Sequence, residues 1–472
     1  KKHLGASDQS ADSDLVSEVS DWTTNHRLRG VTYIYVRLEF DQKVFPNGLP
    51  NLKAVVRGKK VFDTRDSQTR WTRNPALIAR DYLMSSDGIG ATSAEVDATS
   101  ITTAANICDE YVTITSVADT FTAATSDVIT RATASKEFEL GDRVQVSTTG
   151  SLPSGLSAST NYFYIPTTPT GATAKLATTL ANAIAGTAID ITSTGSGTHT
   201  ITKNAQLRYT TDGAIKLDRK PLEAMEEIMS SMAGDTVYQA GKYHVFAGAA
   251  VSHSASFDED ILAGPIQVRP KFSRRELFNQ VRGTFTSPYQ FYQETDFPLV
   301  TNSGYITADG ETITRDIVLP FTIDTTRAQR LAKIILEKSR QSIVVQMTCN
   351  YAALNVSVGD VIRLTNTRFG FSNKEFRVLE MEFEVEGGVT ITAQEYASSV
   401  FDFAAGQETA IDPAPNTTLP DAFTVTAPSI ALSDELVSYA DGQFAVRLNI
   451  ALTASTTDFG LDQFEVEFKK TS

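Results

Sequence analysis

Near its start the chain reads Gly30-Val-Thr-Tyr-Ile-Tyr-Val-Arg-Leu-Glu-Phe40, and two kinds of side chain alternate along this run. The apolar row consists of Ile34, Val36, Leu38 and Phe40. The amphipathic or charged row consists of Tyr33, Tyr35, Arg37 and Glu39. Because successive residues of a strand point to opposite faces, the alternation predicts a β-strand whose apolar row is buried. The run contains no catalytic signature.

A rigid reversal and a second strand are predicted next. The reversal reads Phe45-Pro-Asn-Gly-Leu-Pro50, in which proline restricts φ and Asn-Gly accepts positive φ. The second strand is predicted over 55–62, and together the two strands form a well specified β unit.

This string, followed by several others, closely resembles the central tail hub, or tip attachment protein, of lambda-like long-tailed bacteriophages. The resemblance covers most of the chain up to about residue 401, apart from 111–205 and the two ends. Its further motifs are Arg70-Trp-Thr-Arg-Asn-Pro-Ala-Leu-Ile-Ala-Arg-Asp-Tyr-Leu83, Met232-Ala-Gly-Asp-Thr-Val-Tyr238, Lys242-Tyr-His-Val-Phe-Ala-Gly248, Arg275-Glu-Leu-Phe-Asn-Gln-Val-Arg-Gly-Thr-Phe285, Ala328-Gln-Arg-Leu-Ala-Lys333 and Val358-Gly-Asp-Val-Ile-Arg-Leu364. Each motif is modest alone, and their order and number are specific together.

The resemblance implies a non-enzymatic structural protein of the virion, at the tail tip or baseplate. It implies a homotrimer that closes the tail tube and surrounds a channel. The implied partners are tail tube and distal tail proteins, the tape-measure protein, tail fibres or receptor-binding domains, and a host surface receptor reached through distal domains. DNA would pass through the channel without specific binding. No catalytic residue, cofactor or metal is implied.

Combined with local patterns, the resemblance predicts an α+β, mainly β chain of several domains. A Thr, Ala, Ser and Gly-rich stretch interrupts the hub pattern and is predicted to be an excisable module, because a loop insertion costs little closure entropy. The expected parts are a polar lead-in at 1–20, a first hub α/β domain from 21–110 plus 206–250, an inserted all-β module at 111–205, a second hub domain at 251–403 with a tail-tube-like β-barrel and one helix, a linker at 404–420, and a partial fibronectin type III-like domain at 421–472.

Four helices are predicted from caps and periodicity. Asn74 and Pro75 begin one over 76–84, and another covers 102–109. Pro221 opens a third, with Gly234 as its C-terminal stop and an apolar stripe of Leu222, Met225, Met229 and Met232. Thr325-Thr326 cap a fourth, with an apolar side of Ala328, Leu331, Ile334 and Ile335. Its opposite, polar side consists of Arg327, Arg330, Lys333 and Glu337.

Strands are predicted where short alternating runs lie between turn residues. Within the module they cover 143–146 and 161–165. A hairpin covers 236–246 around Ala240-Gly241. Later strands are predicted at 343–349, 360–364, 375–385 and 389–393.

Composition agrees with a globular assembly component. The chain has 472 residues, 41% hydrophobic and 21% charged, and no apolar run of transmembrane length. Its net charge of -14 argues against an outer surface that grips nucleic acid, and would suit either a DNA conduit or simple solubility. Because it begins at Lys1 rather than methionine, we expect it to be part of a longer polypeptide, and a signal peptide stays open.

A tail-associated glycan or peptidoglycan hydrolase is the alternative function, and carbohydrate binding by the module is a third. The sequence has no GxSxG, HExxH, Walker A or GxGxxG motif, but glycosidase carboxylate pairs have no spacing rule. Asp258-Glu259-Asp260 lacks the alternating ligands of a calcium loop and favours a solvated turn. His244 and His253 lack ligands at metal spacing, and Cys108 and Cys349 favour buried free thiols.

Overall fold

A computed structural model describes residues 1–39, 48, 52, 54–168, 170–273, 276–385, 387–410, 427–453 and 466. It divides the chain into two compact units, 1–57 and 58–472. The architecture is mainly β with few helices, as predicted. No helix in the described ranges is long and apolar enough to cross a membrane.

In the first unit Tyr33 and Tyr35 are half-buried, whereas Arg37 and Glu39 of the same row are exposed. The unit contains strand β1 (Lys2–Leu4), helix α1 (Ser13–Glu18) and strand β2 (Thr32–Ile34), and β1 pairs antiparallel with β2. Tyr33 stacks on His3 at 4.4 Å between ring centroids, and the Tyr35 hydroxyl donates to Glu18 at 2.7 Å.

The apolar row predicted to be buried is exposed. Ile34 is 56% accessible, Val36 and Leu38 are also exposed, and Phe40 lies outside the described residues. Alternation determines which residues share a face, but the elements packed on that face determine which one is covered. In this unit α1 lies by the tyrosine row, so the prediction about burial was wrong.

The predicted second strand is much shorter than expected. Strand β3 (Val61–Asp63) pairs with β4 (Gln68–Arg70), and 54–60 has no regular structure. Both Arg65 and Arg70 bind the buried Asp63 carboxylate, at 2.8 and 2.6 Å. This hairpin is therefore held by ion pairs at 63–70, C-terminal to the stretch predicted to form it. Of the predicted reversal at 45–50, the structure describes only Gly48.

Helices α2 (Pro75–Met84) and α3 (Ala98–Cys108) follow. Asn74 caps α2 as predicted, because its side chain accepts from the amides of Ala76 and Leu77. Helix α3 begins four residues earlier than predicted, at the Asp97 cap.

Residues 111–207 form a closed six-stranded barrel with strand order β10-β5-β6-β9-β8-β7. The first and last strands pair along most of their length, so the chain enters and leaves the barrel at adjacent positions. The predicted strands at 143–146 and 161–165 are confirmed. The barrel elements are β5 (Tyr111–Ala123), β6 (Ile129–Arg131), β7 (Arg143–Thr148), β8 (Tyr162–Pro166), β9 (Thr173–Ala177), α4 (Leu180–Ala185) and β10 (His199–Leu207).

Helix α5 (Pro221–Ser230) and the hairpin of β11 (Asp235–Gln239) and β12 (Lys242–Phe246) come next. Met225, Met229 and Met232 are buried as the stripe predicts, but Leu222 is exposed. The positive-φ residue after α5 is Ala233, with φ 49°, and not Gly234. The hairpin turn is confirmed, with φ 50° at Ala240 and φ 80° at Gly241.

The elements between residues 255 and 395 include two sheets and two α-helices. One sheet centres on β15, which pairs with β16, β17 and β18; the other has the order β13-β20-β21-β22-β19-β14. The bounds are β13 (Ala255–Phe257), β14 (Leu262–Arg269), β15 (Gln280–Ser287), β16 (Gln293–Asp296), β17 (Val300–Thr301), α6 (Ser303–Asp309), β18 (Thr314–Leu319), α7 (Thr325–Lys338), β19 (Val344–Cys349), β20 (Val361–Asn366), β21 (Phe371–Glu384) and β22 (Gly388–Glu395).

The six-stranded sheet is open, whereas a tail-tube-like β-barrel is predicted within 251–403. Its edge strands β13 and β14 do not pair, although only 258–261 separates them in sequence. Four residues span at most about 14 Å, so the sheet must curl until its edges approach. Strand β13 has only three residues and pairs parallel with β20, which leaves little edge with which to complete a ladder.

In the described part of the chain, two hydrophobic cores lie outside the barrel. The helical core combines α2, α3, α5 and α7 with β15, through residues such as Leu77, Met225, Phe285 and Leu331. The predicted domain division at residue 250 passes through this core. The curled sheet has its own core, which includes Phe257, Met347 and Ile391.

Within the predicted fibronectin-like segment, the structure describes 427–453 and 466. Strands β23 (Ser429–Ser438) and β24 (Phe444–Thr453) pair as an antiparallel hairpin. The rest of that segment, and most of the predicted linker, lies outside the described residues.

Candidate functional site

A buried group of charged side chains joins the barrel to the helical core. We call it the junction cluster. It combines the loop before β7, strand β10, the approach to α2 and the first turn of α7. Its members are Arg73, Glu137, Glu139, Asp142, Lys203, Asp212, Asp324 and Arg327.

Glu139, from the barrel, occupies the centre of the cluster. Its Oε2 accepts from Arg73 Nη2 at 2.9 Å and from Arg327 Nη1 at 3.0 Å. Burial alone would raise the pKa of this carboxyl, but the two guanidinium groups, Arg327 first, lower it to about 2. Glu139 is therefore ionised. Its carboxylate connects the barrel to Arg73, which precedes α2, and to Arg327 of α7.

Arg73 forms a second, bidentate pair. Its Nε and Nη2 donate to the Asp212 carboxylate at 2.8 and 2.6 Å. Arg73 directly precedes the Asn74 cap of α2, and Asp212 lies just beyond β10. The guanidinium thus fastens the chain leaving the barrel to the start of α2.

Helix α7 presents its polar side to the barrel. Asp324 caps this helix by accepting from the Arg327 amide at 2.7 Å, so the cap lies one residue earlier than predicted. Arg327 Nε donates to the Leu207 carbonyl at 3.1 Å, and Arg330 Nη1 donates to the Arg208 carbonyl at 2.9 Å. Both side chains are buried, Arg327 at 1% accessibility.

Arg327 and Arg330 lie on the predicted polar side of this helix, but both side chains are buried there rather than exposed. Helical periodicity correctly separates them from Leu331 and Ile334, but the exit of the barrel covers the polar side as well. Buried arginines need carboxylates or carbonyls as partners, and the barrel loop and β10 supply them.

Glu137 lies at the edge of the cluster, and its pKa is shifted in the opposite direction to that of Glu139. Its Oε1 accepts from the Thr325 hydroxyl at 2.7 Å. Burial, together with the nearby Asp324, raises the pKa of Glu137 to about 8. Tyr289 binds the loop that contains Glu137. Its hydroxyl donates to the Lys136 carbonyl at 2.9 Å and accepts from the Phe138 amide at 3.2 Å.

A small cavity lies beside Arg73 and Leu140. Its volume is about 10 Å³, enough for a single water molecule. The buried carboxylates of the cluster have side-chain partners of their own: Arg327 for Glu139, Lys203 for Asp142 and Thr325 for Glu137. The arrangement can hold charge and fix the barrel against the core.

The sequence candidates for metal binding have local structural partners. Asp258 Oδ1 accepts from the Asp260 amide at 3.1 Å, and Glu259 accepts from the Thr367 amide at 2.8 Å. His244 Nδ1 lies 3.8 Å from Asp97. No cluster of three or more metal-binding side chains, at His253 or elsewhere, occurs in the described ranges. Cys108 and Cys349 are buried free thiols.

The junction cluster was not predicted from the sequence. One signal was present: Lys203 lies on the inward face of β10 with Ile201, two positions away. Nothing in the sequence indicates that Glu139 lies opposite Arg73 and Arg327, which are 66 and 188 residues away.

Comparison with known proteins gives one sequence match. The model of a family described as "Putative phage tail protein" matches residues 220–381, about a third of the chain. This segment contains α5, the β11–β12 hairpin, β15 and α7. No curated protein matches.

Solved structures with some likeness include three virion or tail proteins. A chain of a native gene transfer agent virion has 10% identity and a TM-score of 0.33, covering 62% of this chain and 84% of that one. The 43 kDa tail protein of prophage MuSo2 from Shewanella oneidensis has 10% identity and a TM-score of 0.28, covering 60% and 99%. Prophage tail protein gp18 from Listeria monocytogenes has 7% identity and a TM-score of 0.25, covering 58% and 94%. Residues 220–381 are therefore similar to a putative phage tail protein family.

Proposed function

We propose that this chain is a structural protein of a bacteriophage tail, located in the virion, and that it acts there as the central hub of the tail tip. The observation that carries the proposal is the family match over 220–381. That segment supplies α5 and α7 to the helical core and most residues of five strands of the curled sheet, β13, β14, β19, β20 and β21. The match thus covers two of the four helices of the helical core and most of the curled sheet.

The outer face of the curled sheet suits the wall of a DNA channel. On β21, Glu380, Glu382 and Glu384 are exposed on alternate positions, facing away from the core. They lie opposite Thr392, Thr390 and Gly388 of β22. Carboxylates repel the phosphates of DNA, and the neutral hydroxyls of the threonines do not attract them, so DNA passes without specific binding. We therefore place this face nearest the axis.

In this proposal three copies form the hub. A closed ring uses heterologous contacts, in which one patch meets a different patch on the next copy. The hub continues the tail tube, contacts distal tail proteins, receives the tape-measure protein, and carries fibres or receptor-binding domains that reach the host surface. Its role is geometric, and no residue is assigned to catalysis.

Imaging of the virion tests this proposal. A small tag inserted at the exposed turn 124–126 between β5 and β6 marks the barrel on the side away from the junction cluster. We expect tagged and untagged tails to show three copies at the tip, with the tag density far from the axis and the curled sheets near it. Absence of the chain from purified tails would overturn the virion role. A single axial copy, or six independent ones, would overturn the hub assignment.

A further inference from the structure

Lys203 occupies an unusual position inside the barrel. It lies on the inward row of β10 with Ile201 and Ala205, and its side chain is 2% accessible. Lysine is almost never fully buried unless it is paired, because its charge loses hydration. The position requires a partner with a specific role.

That partner is Asp142, which directly precedes β7. Strand β10 pairs with β7 so that Lys203 is opposite Val144, and an irregularity follows between Lys203 and Ala205. Lys203 Nζ lies 3.2 Å from Asp142 Oδ2, and the Asp142 side chain is 1% accessible. The two groups come from neighbouring strands and meet in the interior.

One oxygen of the Asp142 carboxyl group has hydrogen-bonding partners and the other has none in the described part of the chain. Asp142 Oδ2 accepts from the Glu139 amide at 2.8 Å, whereas Oδ1 has no hydrogen-bond partner within the described part of the chain. The Phe138 ring lies on the other side of the amine, 5.7 Å from Lys203 Nζ to the ring centroid. The pair is thus fixed in contact and shielded from water.

We propose that Lys203 and Asp142 condense into an intramolecular isopeptide bond that locks the barrel. Lys203 Nζ forms a bond to Asp142 Cγ, and one carboxyl C–O bond breaks. The ammonium and carboxylate together supply one oxygen and two hydrogens, which leave as water, and the remaining hydrogen stays on the amide nitrogen. The charges cancel, and no oxidant, reductant or co-reactant is needed.

The surroundings favour this reaction in two ways. Fixed proximity replaces a bimolecular encounter, and exclusion of water opposes the reverse hydrolysis. Burial raises the pKa of the Asp142 carboxyl, which favours the acid form that an amine can attack. Burial lowers the pKa of Lys203, but Asp142 and other carboxylates raise it overall, which disfavours the neutral amine. Attack therefore requires that a proton first move from the Lys203 ammonium to the Asp142 carboxylate.

The bond closes the loop 142–203, and such a cross-link stabilises mainly by restricting the unfolded chain.

Mass spectrometry of the full chain tests the proposal. After purification and denaturation, the intact mass should be lower than the sequence mass by one water. Trypsin should release a branched peptide joining 137–143 to 176–208, because cleavage after a linked Lys203 is blocked.

The control pair is Lys175 and Asp127, which lie 3.6 Å apart in the same barrel but are partly exposed. Lys175→Arg should keep the loss of water, whereas Lys203→Arg should abolish it. The wild-type peptides decide the question even if the latter variant folds poorly. Separate 137–143 and 176–203 peptides at full mass, after prolonged incubation of the folded chain, would overturn the proposal. So would a water loss that maps to other residues.

Discussion

Arg327 Nη1 donates to Glu139 Oε2 at 3.0 Å, and this contact joins helix α7 to a barrel loop 188 residues away in sequence. Both side chains are buried. The attraction between such groups must offset the loss of hydration of both, so neither residue is replaceable alone. The contact makes the position of the barrel dependent on charge rather than on apolar packing alone.

Arg327→Ala should therefore destabilise the full chain by about 3–5 kcal/mol, because it leaves Glu139 with one guanidinium fewer in a buried site. Chemical denaturation followed by fluorescence measures the loss. The matched control is Arg282→Ala, which removes an exposed pair with Asp316 and should change stability little. Equal effects of the two substitutions would contradict the assigned role of the cluster.

The same substitution should have a small effect once the barrel is removed. Replacing 111–205 with a short Gly-Ser link lets water reach Arg327, so no charge stays buried without a partner. We expect this shortened chain to fold cooperatively, since loop closure costs little, and to tolerate Arg327→Ala with a loss below about 1 kcal/mol. Failure of 58–110 to fold in the shortened chain would show that the barrel belongs to the core.

Stability should fall as pH rises from about 5 to 8. Burial raises the pKa of Glu137 to about 8, with Asp324 and Glu139 adding to the rise and Lys203 opposing it. The folded chain then binds a proton that the unfolded chain releases near its ordinary pKa, so this contribution is complete at low pH and is lost toward pH 8. Glu137→Gln should flatten the dependence of the melting temperature on pH in this window. The exposed Glu226→Gln should leave the slope unchanged.

Ala240→Asn should stabilise the β11–β12 hairpin. Ala240 has φ 50°, a conformation that costs an ordinary L-residue about 1 kcal/mol and that asparagine adopts readily. We expect a gain of about 0.5–1 kcal/mol by thermal or chemical denaturation. Ala240→Val, at the same exposed position, should have the opposite effect.

The purified chain should not degrade peptidoglycan or surface glycan. The buried carboxylates Glu137, Glu139 and Asp142 are occupied by Thr325, two arginines and Lys203, and residues 220–381 match the model of a putative phage tail protein family. Release of reducing sugars or muropeptides is the measurement. Turnover that a single Asp or Glu substitution abolishes would contradict the structural role.

Local signals in the sequence predicted local structure well. Asn74 with Pro75 begins α2, and Ala240-Gly241 forms the turn between β11 and β12. Each depends on backbone preferences of a few consecutive residues. The mainly β composition followed from the same kind of signal.

Predictions about burial and pairing were less successful, because these depend on what lies opposite in space. Ile34 alternates correctly but lies on the uncovered face, and Arg327 is on the polar side of α7 but is covered by the barrel. Likewise, the positions of the strands within 251–403 were predicted closely. Their pairing was not predicted, and the observed order leaves β13 and β14 as unpaired edges of an open sheet. The junction cluster combines all of these unpredictable elements.

The antiparallel pairing of β5 with β10 has a mechanical consequence. Tyr111 is opposite Leu207 at the base and Phe121 is opposite His199 far from it, so both strands meet the core at the same end. A tensile force between barrel and core would break the hydrogen bonds between β5 and β10 one after another, and a sheet resists force in this direction least. The Arg327–Glu139 contact ties the barrel at a second point, away from the strand ends, and shares that force before the first of these hydrogen bonds breaks.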